Sequence, residues 1–214
     1  IDSAVAFKQW LEQKWLEENV AEHHIIFCSE PPQPGGLGAS WDEIVSSLEQ
    51  LQKDSVIAST DELFFYFSGH GFRFERSFGT QSDVLVASDF ESRGNLCLKL
   101  DEVVNWLRSH LGRGKQYFFI DACRNVLDSS QIRVNDTLPW NPTINGEASS
   151  YVLQSTVSGA PALVASAFAS TLLGGLRGES RAKIWSENPA NGMLVRYDSL
   201  RTYLKKKLSN EQPI

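Results

Sequence analysis

Residues 63–71 read Leu-Phe-Phe-Tyr-Phe-Ser-Gly-His-Gly, an unbroken apolar run that leads into a glycine-flanked histidine. A second run, Tyr117-Phe118-Phe119-Ile120, leads in the same way into Asp121-Ala122-Cys123. Uniformly apolar strands are typical of a parallel sheet covered by helices on both faces, because neither face meets water. We therefore predict two inner strands of one sheet, with His70 and Cys123 at their carboxyl ends.

Amphipathic segments alternate with these strands along the chain. Apolar residues at helical spacing predict helices over 3–18, 40–51, 100–111, 171–176 and 197–208, and Ser40 with Glu43 forms the sequence pattern of a capping box. Further strands are predicted over 24–28, 83–88 and 162–167, whereas 126–159 is rich in Ser, Asn, Thr and Pro and is expected to be irregular and mobile. This order indicates an α/β sandwich with a mainly parallel sheet.

Length and composition narrow the functional classes. A chain of 214 residues favours a single domain, 1–214. Twenty basic and 26 acidic residues give a net charge of −6, which argues against direct nucleic-acid contact. No apolar stretch approaches the roughly 20 residues that span a bilayer, so no membrane association is expected. Cys28, Cys97 and Cys123 lack metal-binding spacing, so we expect free thiols in a reducing, cytoplasmic setting, with no metal or cofactor.

The two strand ends suggest a specific chemistry. Reactive groups of open α/β sheets gather beyond the carboxyl ends of the strands, so His70 and Cys123 share a crevice if their strands are neighbours. An ordinary thiol is only a few per cent thiolate at neutral pH, and a nearby imidazole can accept its proton. Gly71 has no Cβ, so its N–H can approach a substrate carbonyl and form an oxyanion hole together with the N–H of Cys123.

Ser68-Gly69-His70-Gly71 and Asp121-Ala122-Cys123-Arg124-Asn125 together resemble the two signatures of the caspase, metacaspase and bacterial orthocaspase family. The resemblance implies a three-layer α/β/α caspase-like sandwich. It also implies an endopeptidase in which His70 is the general base and Cys123 the nucleophile, acting on protein substrates through a thioester.

The residue two places before the cysteine bears on specificity. Caspases proper have Gln there and cut after Asp, whereas this chain has Asp121, as metacaspases and orthocaspases do. The resemblance therefore implies a substrate pocket for Arg or Lys, formed by Asp121 and Ser68, with Asp2 as a further pocket acid. It also implies a regulatory or sensor domain or subunit as a partner, and a role in bacterial defence or cell death.

Two departures from the family pattern lead to further expectations. The family's first strand has no counterpart in the sequence, so we expect an upstream segment or another segment to supply it. The segment after Ala167 is shorter than the family's usual substrate loop. Arg133 is the only basic residue in the predicted loop 126–159, and it is therefore the candidate for self-cleavage.

Alternative interpretations stay open. A catalytically silent caspase-like scaffold would recruit protein partners, and a cysteine hydrolase or acyltransferase would act on small molecules.

Cys28 and Cys97 are interpreted as inert thiols, and 35–38 as a flexible loop and not a phosphate site. Some metacaspases need calcium, but Asp83, Asp89 and Glu91 lack regular ligand spacing and are expected to form a solvated rim.

Overall fold

A computed structural model describes residues 2–20, 22–53, 61–75, 81–92, 95–110, 114–128, 148–156, 166–185 and 193–208. The helices are α1 (Asp2–Glu17), α2 (Trp41–Lys53), α3 (Leu100–His110), α4 (Ser166–Leu176) and α5 (Tyr197–Leu208). The strands are β1 (Glu62–Gly69), β2 (Gly71–Glu75), β3 (Gln81–Leu85), β4 (Leu98–Lys99), β5 (Lys115–Ala122), β6 (Val126–Asp128), β7 (Ser149–Gln154), β8 (Lys183–Trp185) and β9 (Met193–Val195).

The central sheet has the order β1-β5-β7, and all of its pairings are parallel. Its two apolar strands are the ones predicted from the sequence, and they are parallel neighbours, which was the condition for His70 and Cys123 to share a crevice. Stacked or tilted aromatic pairs join residues at equal register, and these are Phe64–Tyr117, Phe65–Phe118 and Tyr117–Tyr151. Such cross-strand pairs stabilise a particular register. Among the described residues, no strand pairs with the other edge of β1.

Helices cover both faces of this sheet, which confirms the predicted three-layer α/β/α arrangement. Helices α2 and α3 enclose one core, centred on Trp106, Phe118 and Ile120. Helices α1, α4 and α5 enclose the other core, where Phe119 and Leu172 are almost fully buried. Successive side chains of a strand point to opposite faces, so uniformly apolar strands supply both cores at once.

A second, mixed sheet continues directly from the end of β1. Its order is β4-β3-β2-β6, with β2 antiparallel to β3 and parallel to β6. Because β2 begins at Gly71 and β6 follows Cys123 closely, this sheet extends the two strand ends that carry the predicted catalytic residues. A short hairpin of β8 and β9 precedes the last helix.

The start of α2 follows the predicted capping box. Ser40 Oγ and Glu43 are hydrogen-bonded to each other, and Glu43 also accepts from the Gly38 N–H at 3.0 Å. These hydrogen bonds lower the pKa of the Glu43 carboxyl, with Ser40 as the larger cause. Asp89 adds a distant cap, since its Oδ1 accepts from the Trp41 N–H at 2.8 Å.

Several predicted elements need correction. Residues 24–28 form no strand, and only Cys28 makes an isolated bridge, with Leu37. The segment 126–159 is not irregular throughout, because it contains β6 and β7. Most of the predicted strand 162–167 lies outside the described residues, and its last two positions belong to α4. Arg133 also lies outside the described residues.

The remaining helix predictions are confirmed to within a few residues, apart from 171–176, which is the end of the longer helix α4. No disulfide links the three cysteines. No helix in the described ranges has both the length and the apolar character to cross a bilayer.

Candidate active site

The register of β1 and β5 brings the two sequence motifs side by side. Ser68 pairs with Asp121 and Gly69 with Ala122, so the next residues along the two strands are His70 and Cys123. Neighbouring strands lie about 4.8 Å apart. The two residues therefore leave the sheet from adjacent positions, with His70 exposed and Cys123 half-buried.

Gly71 extends this contact beyond the strand ends. A Cβ on Gly71 would lie 2.8 Å from the Val84 carbonyl oxygen, 2.9 Å from Ala122 Cβ and 3.0 Å from the Cys123 carbonyl oxygen. Real Cβ atoms essentially never come within 3.0 Å of such atoms, so no larger residue fits without a backbone shift. The backbone after His70 thus packs directly against the peptide that carries Cys123.

The predicted pocket residues Asp121 and Ser68 lie opposite each other on the sheet face that α1 and α5 cover. Tyr66 and Phe119 precede them on this face and belong to the core beneath those helices. The alternation of side chains along the strands directs Ser68 and Asp121 to this same face. The structure therefore brings these two polar residues together beside the motif histidine and cysteine.

Burial dominates the electrostatics of Asp121. Its side chain is only 4% exposed, and this desolvation raises the pKa of the carboxyl to about 6, a shift that the nearby Ser155 hydroxyl partly opposes. Neither Asp121 Oδ2 nor Ser155 Oγ has a hydrogen-bond partner of good geometry in the described part of the chain. A buried carboxylate oxygen without a partner is costly, so this position is poised to accept a donor.

Tyr66 adds a third polar group to this buried region. Its hydroxyl also lacks a well-aligned partner among the described residues. Burial and, to a smaller extent, the Asp121 carboxylate together raise the pKa of Tyr66 to about 12, although the hydroxyls of Ser68 and Ser3 oppose the rise. The phenol is therefore neutral at physiological pH and available as a hydrogen-bond donor.

Asp2, the further predicted pocket acid, starts α1 and is exposed. The first turn of α1 approaches the pocket through Ser3, which lies near the Tyr66 hydroxyl. No hydrogen bond or ion pair joins Asp2 to Asp121 or Ser68 within the described ranges. The structure thus places Asp2 at the start of the helix that lies beside Tyr66, and its role as a pocket acid stays a prediction.

The segment that carries Cys123 is anchored by residues that the sequence did not reveal. Arg124 forms a two-bond ion pair with Asp83, at 3.1 and 2.9 Å, and donates to the Thr156 carbonyl at 3.0 Å. Thr156 Oγ1 in turn donates to the Ala122 carbonyl at 3.1 Å. Arg124 is adjacent to the motif cysteine in the sequence, which is the one signal that pointed to it.

Of the three acids weighed as calcium ligands, Asp83 and Asp89 are engaged in other contacts, whereas Glu91 is exposed. Asp83 pairs with Arg73 as well as Arg124, and Asp89 caps α2. The prediction that Asp83 belongs to a solvated rim is therefore wrong, because its side chain is 15% exposed and ion-paired. The described residues contain no group of three or more His, Cys, Asp or Glu that could hold a metal ion.

Two cavities in the described part of the chain differ in their relation to this site. A cavity of about 540 Å³ lies near the end of α1, around Trp15 and His23, away from the strand ends. The smaller one, of about 300 Å³, is lined by Arg124, Gln154 and Thr156 and by basic residues of α5. This second cavity therefore borders the segment that carries Cys123.

An α/β/α sandwich with histidine and cysteine at adjacent strand ends is the arrangement of a cysteine hydrolase of the caspase type. Comparison with known proteins agrees, since a family model described as the caspase domain matches residues 36–210. The chain belongs to this caspase-domain peptidase family.

A curated relative, a probable protease from a Desulfuromonadales bacterium, is 29% identical over 97% of this chain. The chain spans only 27% of the length of that relative.

Proposed function

We propose that this chain is a cysteine endopeptidase that cleaves proteins on the carboxyl side of arginine or lysine. In this reaction His70 accepts the proton of the Cys123 thiol, and the sulfur attacks the scissile carbonyl carbon. The N–H groups of Gly71 and Cys123 stabilise the resulting oxyanion. His70 then protonates the leaving amine, and water, deprotonated by His70, hydrolyses the thioester and restores the thiol.

The observation that carries this proposal is the parallel register of β1 and β5. The pairing of Ser68 with Asp121 makes His70 and Cys123 the next residues on adjacent strands. A general base must lie within hydrogen-bond reach of the proton that it removes. Residues leaving neighbouring strands at the same level have backbones about 5 Å apart, which supports this role, whereas a shift of one residue would turn the two side chains to opposite faces.

The preference for a basic residue rests on the buried carboxylate of Asp121. A guanidinium presents paired donors that match a carboxylate, and Asp121 Oδ2 lacks a donor within the described residues. The Ser155 hydroxyl lies close enough to Asp121 to lower its pKa, and could accept a further hydrogen bond from the same cation. Since Asp121 Oδ2 is shielded from water, an entering side chain must displace neighbouring groups. An acidic substrate side chain would meet like charge and be rejected.

The wider role of the protein is proposed on the same family basis. The curated relative is a much longer chain than the segment matched here. We infer that the peptidase unit, 1–214, works in the cytoplasm beside a regulatory or sensor domain or subunit, in bacterial defence or cell death. Proteins, and not nucleic acids, would be its substrates.

Fluorogenic peptides that end in Arg, Lys or Asp test the proposal directly. We expect Arg and Lys peptides to be cleaved and the Asp peptide to be left intact. Cys123→Ala should abolish cleavage, because a typical triad knock-out leaves only residual rate enhancement from the rest of the site. Preference for the Asp peptide would contradict the role of Asp121, and activity in Cys123→Ala would contradict the role of the nucleophile.

Cys28→Ala is the matched control. Cys28 is a half-buried thiol like Cys123, but it lies near Ser47 Oγ, and burial raises the pKa of its thiol. We expect this variant to keep full activity. If iodoacetamide at mildly acidic pH fails to alkylate Cys123 in the intact protein, the scaffold interpretation is favoured. Reactive Cys123 with no peptide cleavage would favour a small-molecule hydrolase.

A further inference from the structure

Asp83 on β3 is the centre of a dense hydrogen-bond cluster. Its carboxylate accepts five hydrogen bonds from three side chains. Arg73 donates to it at 2.8 and 3.1 Å, Arg124 at 3.1 and 2.9 Å, and Gln154 at 2.9 Å. Both guanidinium groups thus bind the same two carboxylate oxygens in the two-bond geometry that arginine favours.

The side chains of this cluster are largely shielded from water. The side chains of Asp83, Arg73 and Arg124 are 15%, 18% and 14% exposed, so water can replace few of these contacts. Two cations share one anion, and loss of the anion would leave two poorly hydrated guanidinium groups facing each other. The carboxylate is therefore what allows Arg73 and Arg124 to occupy this space together.

The hydrogen bonds of Arg124 connect the cluster to the segment that carries Cys123. Arg124 directly follows Cys123 and also donates to the Thr156 carbonyl. Thr156 holds the Ala122 carbonyl through a buried hydrogen bond of 3.1 Å. The residues on both sides of Cys123 are thus tied to fixed strands, one through Asp83 on β3 and the other at the end of β7.

The hydrogen bonds of Arg73 do not involve the side chains of the catalytic segment. Arg73 reaches Asp83 from the neighbouring strand β2, and its guanidinium also donates to Gln81 at 3.2 Å. Its link to the catalytic segment is through the backbone alone, where the Arg73 N–H donates to the Asn125 carbonyl at 2.9 Å. The two arginines are therefore a matched pair with similar burial and the same anion but different attachments.

We propose that Asp83 is a positioning residue for the peptidase reaction, because its carboxylate fixes Arg124 and thereby the Ala122–Arg124 segment that presents Cys123. This inference rests on the proposed function, since it assumes that Cys123 is the nucleophile. The side-chain contacts of Asp83 are with Arg73, Arg124 and Gln154, and in this proposal Asp83 is not a catalytic residue. It acts through Arg124, and a misplacement of about 1 Å in such a segment can lower the rate about 100-fold.

The test compares Arg124→Gln with Arg73→Gln, together with Asp83→Asn and Asp83→Glu. For an Arg-ended fluorogenic peptide, we expect Arg124→Gln and Asp83→Asn to lower kcat about 10- to 100-fold with KM changed less than about threefold. Arg73→Gln should keep kcat within about threefold, because the Asp83–Arg124 pair remains. Asp83→Glu keeps a carboxylate at this position, and its kcat should be about tenfold higher than that of Asp83→Asn.

Thermal unfolding of each variant separates positioning from folding, with all assays run well below the lowest Tm. A purely structural role predicts that the two arginine variants lose activity equally and in proportion to stability. Equal losses in kcat, or wild-type kcat in Asp83→Asn, would overturn the inference. If Asp83→Asn does not fold, the arginine pair alone still decides the matter, since each variant leaves Asp83 one cationic partner.

Alkylation of Cys123 by iodoacetamide distinguishes this inference from the proposed function, because it requires no substrate. If the wild-type protein cleaves no peptide, the proposed function fails, whereas the anchoring is still measured by the alkylation rate. We expect that rate to change at least about fivefold in Arg124→Gln and less than about twofold in Arg73→Gln. The same rate in both variants would count against the anchoring.

Discussion

The raised pKa of Asp121 would make the proposed preference for basic residues dependent on pH. Burial moves the pKa of this carboxyl from 3.8 to about 6 in the free protein. About 90% of the carboxyl groups are then ionised at pH 7 and about 10% at pH 5. If the ionised form alone binds an arginine side chain, kcat/KM for an arginine peptide should fall about tenfold over this range from Asp121 alone.

The histidine–cysteine pair also titrates, so the assay must separate its effect from that of Asp121. Citrulline is a neutral compound of nearly the same shape as arginine, and a citrulline peptide meets the same catalytic residues. The ratio of kcat/KM for arginine over citrulline peptides cancels the common titration. We expect this ratio to fall about tenfold from pH 7 to pH 5, with a midpoint near 6. In Asp121→Asn the ratio should be small and independent of pH.

Two results would refute this reasoning. A wild-type ratio that does not change with pH would show that Asp121 does not contact the substrate side chain in its ionised form. An equal change in Asp121→Asn would assign the titration to another group. Either result would leave the nucleophile untouched, because both peptides depend on Cys123 equally.

The raised pKa of Asp121 also affects the stability of the folded protein. This effect has the opposite sign to that of an acid in a salt bridge, whose pKa is lowered on folding. A carboxyl whose pKa is raised on folding destabilises the folded state above the folded pKa, and this cost disappears as the pH falls towards the unfolded value. The rise from 3.8 to about 6 corresponds to at most about 3 kcal/mol. Asp121→Asn should therefore raise the Tm at pH 8 more than at pH 4.5, and an equal or opposite change would contradict the desolvation argument.

Two further substitutions test the packing around the site. Gly71→Ala should lower kcat/KM about 100-fold, because the added Cβ would collide with the Val84 and Cys123 carbonyl oxygens. Unchanged peptide cleavage would show that this close packing does not position the catalytic residues. Ser40→Ala removes the capping box of α2 and should lower the free energy of unfolding, measured by urea titration, by about 1 kcal/mol. Peptide cleavage should be unchanged. A loss of activity without a loss of stability would contradict a purely capping role.

The sequence predicted those elements whose side-chain pattern has only one structural interpretation. The apolar runs of β1 and β5 could be buried only between two layers of helices, and the apolar stripe of α3 allowed no other periodicity. Strand β7 was missed because it lies within a segment rich in polar and turn-forming residues. Strand β2 begins two residues after β1 ends, so its Phe-Arg-Phe alternation was too short to separate from the histidine motif.

The residues of the candidate site also differ in whether the local sequence can predict them. His70, Cys123 and Asp121 stand in short motifs at strand ends, and local sequence is enough to single them out. Asp83 is 41 residues from Arg124 in the sequence, and nothing local distinguishes it from a surface acid. Its partners follow only from the pairing of β2 with both β3 and β6, which no sequence pattern in this chain specifies.

The register of the central sheet links the stability of the fold to the chemistry. Phe65 packs on Phe118 at equal register on one face, while Phe64 stacks on Tyr117 on the other. A slip of one residue would move every side chain of β1 to the opposite face and separate both aromatic pairs. The same slip would take Ser68 from Asp121 and His70 from Cys123, so the aromatic residues that fill the two cores also hold the candidate catalytic pair at one level.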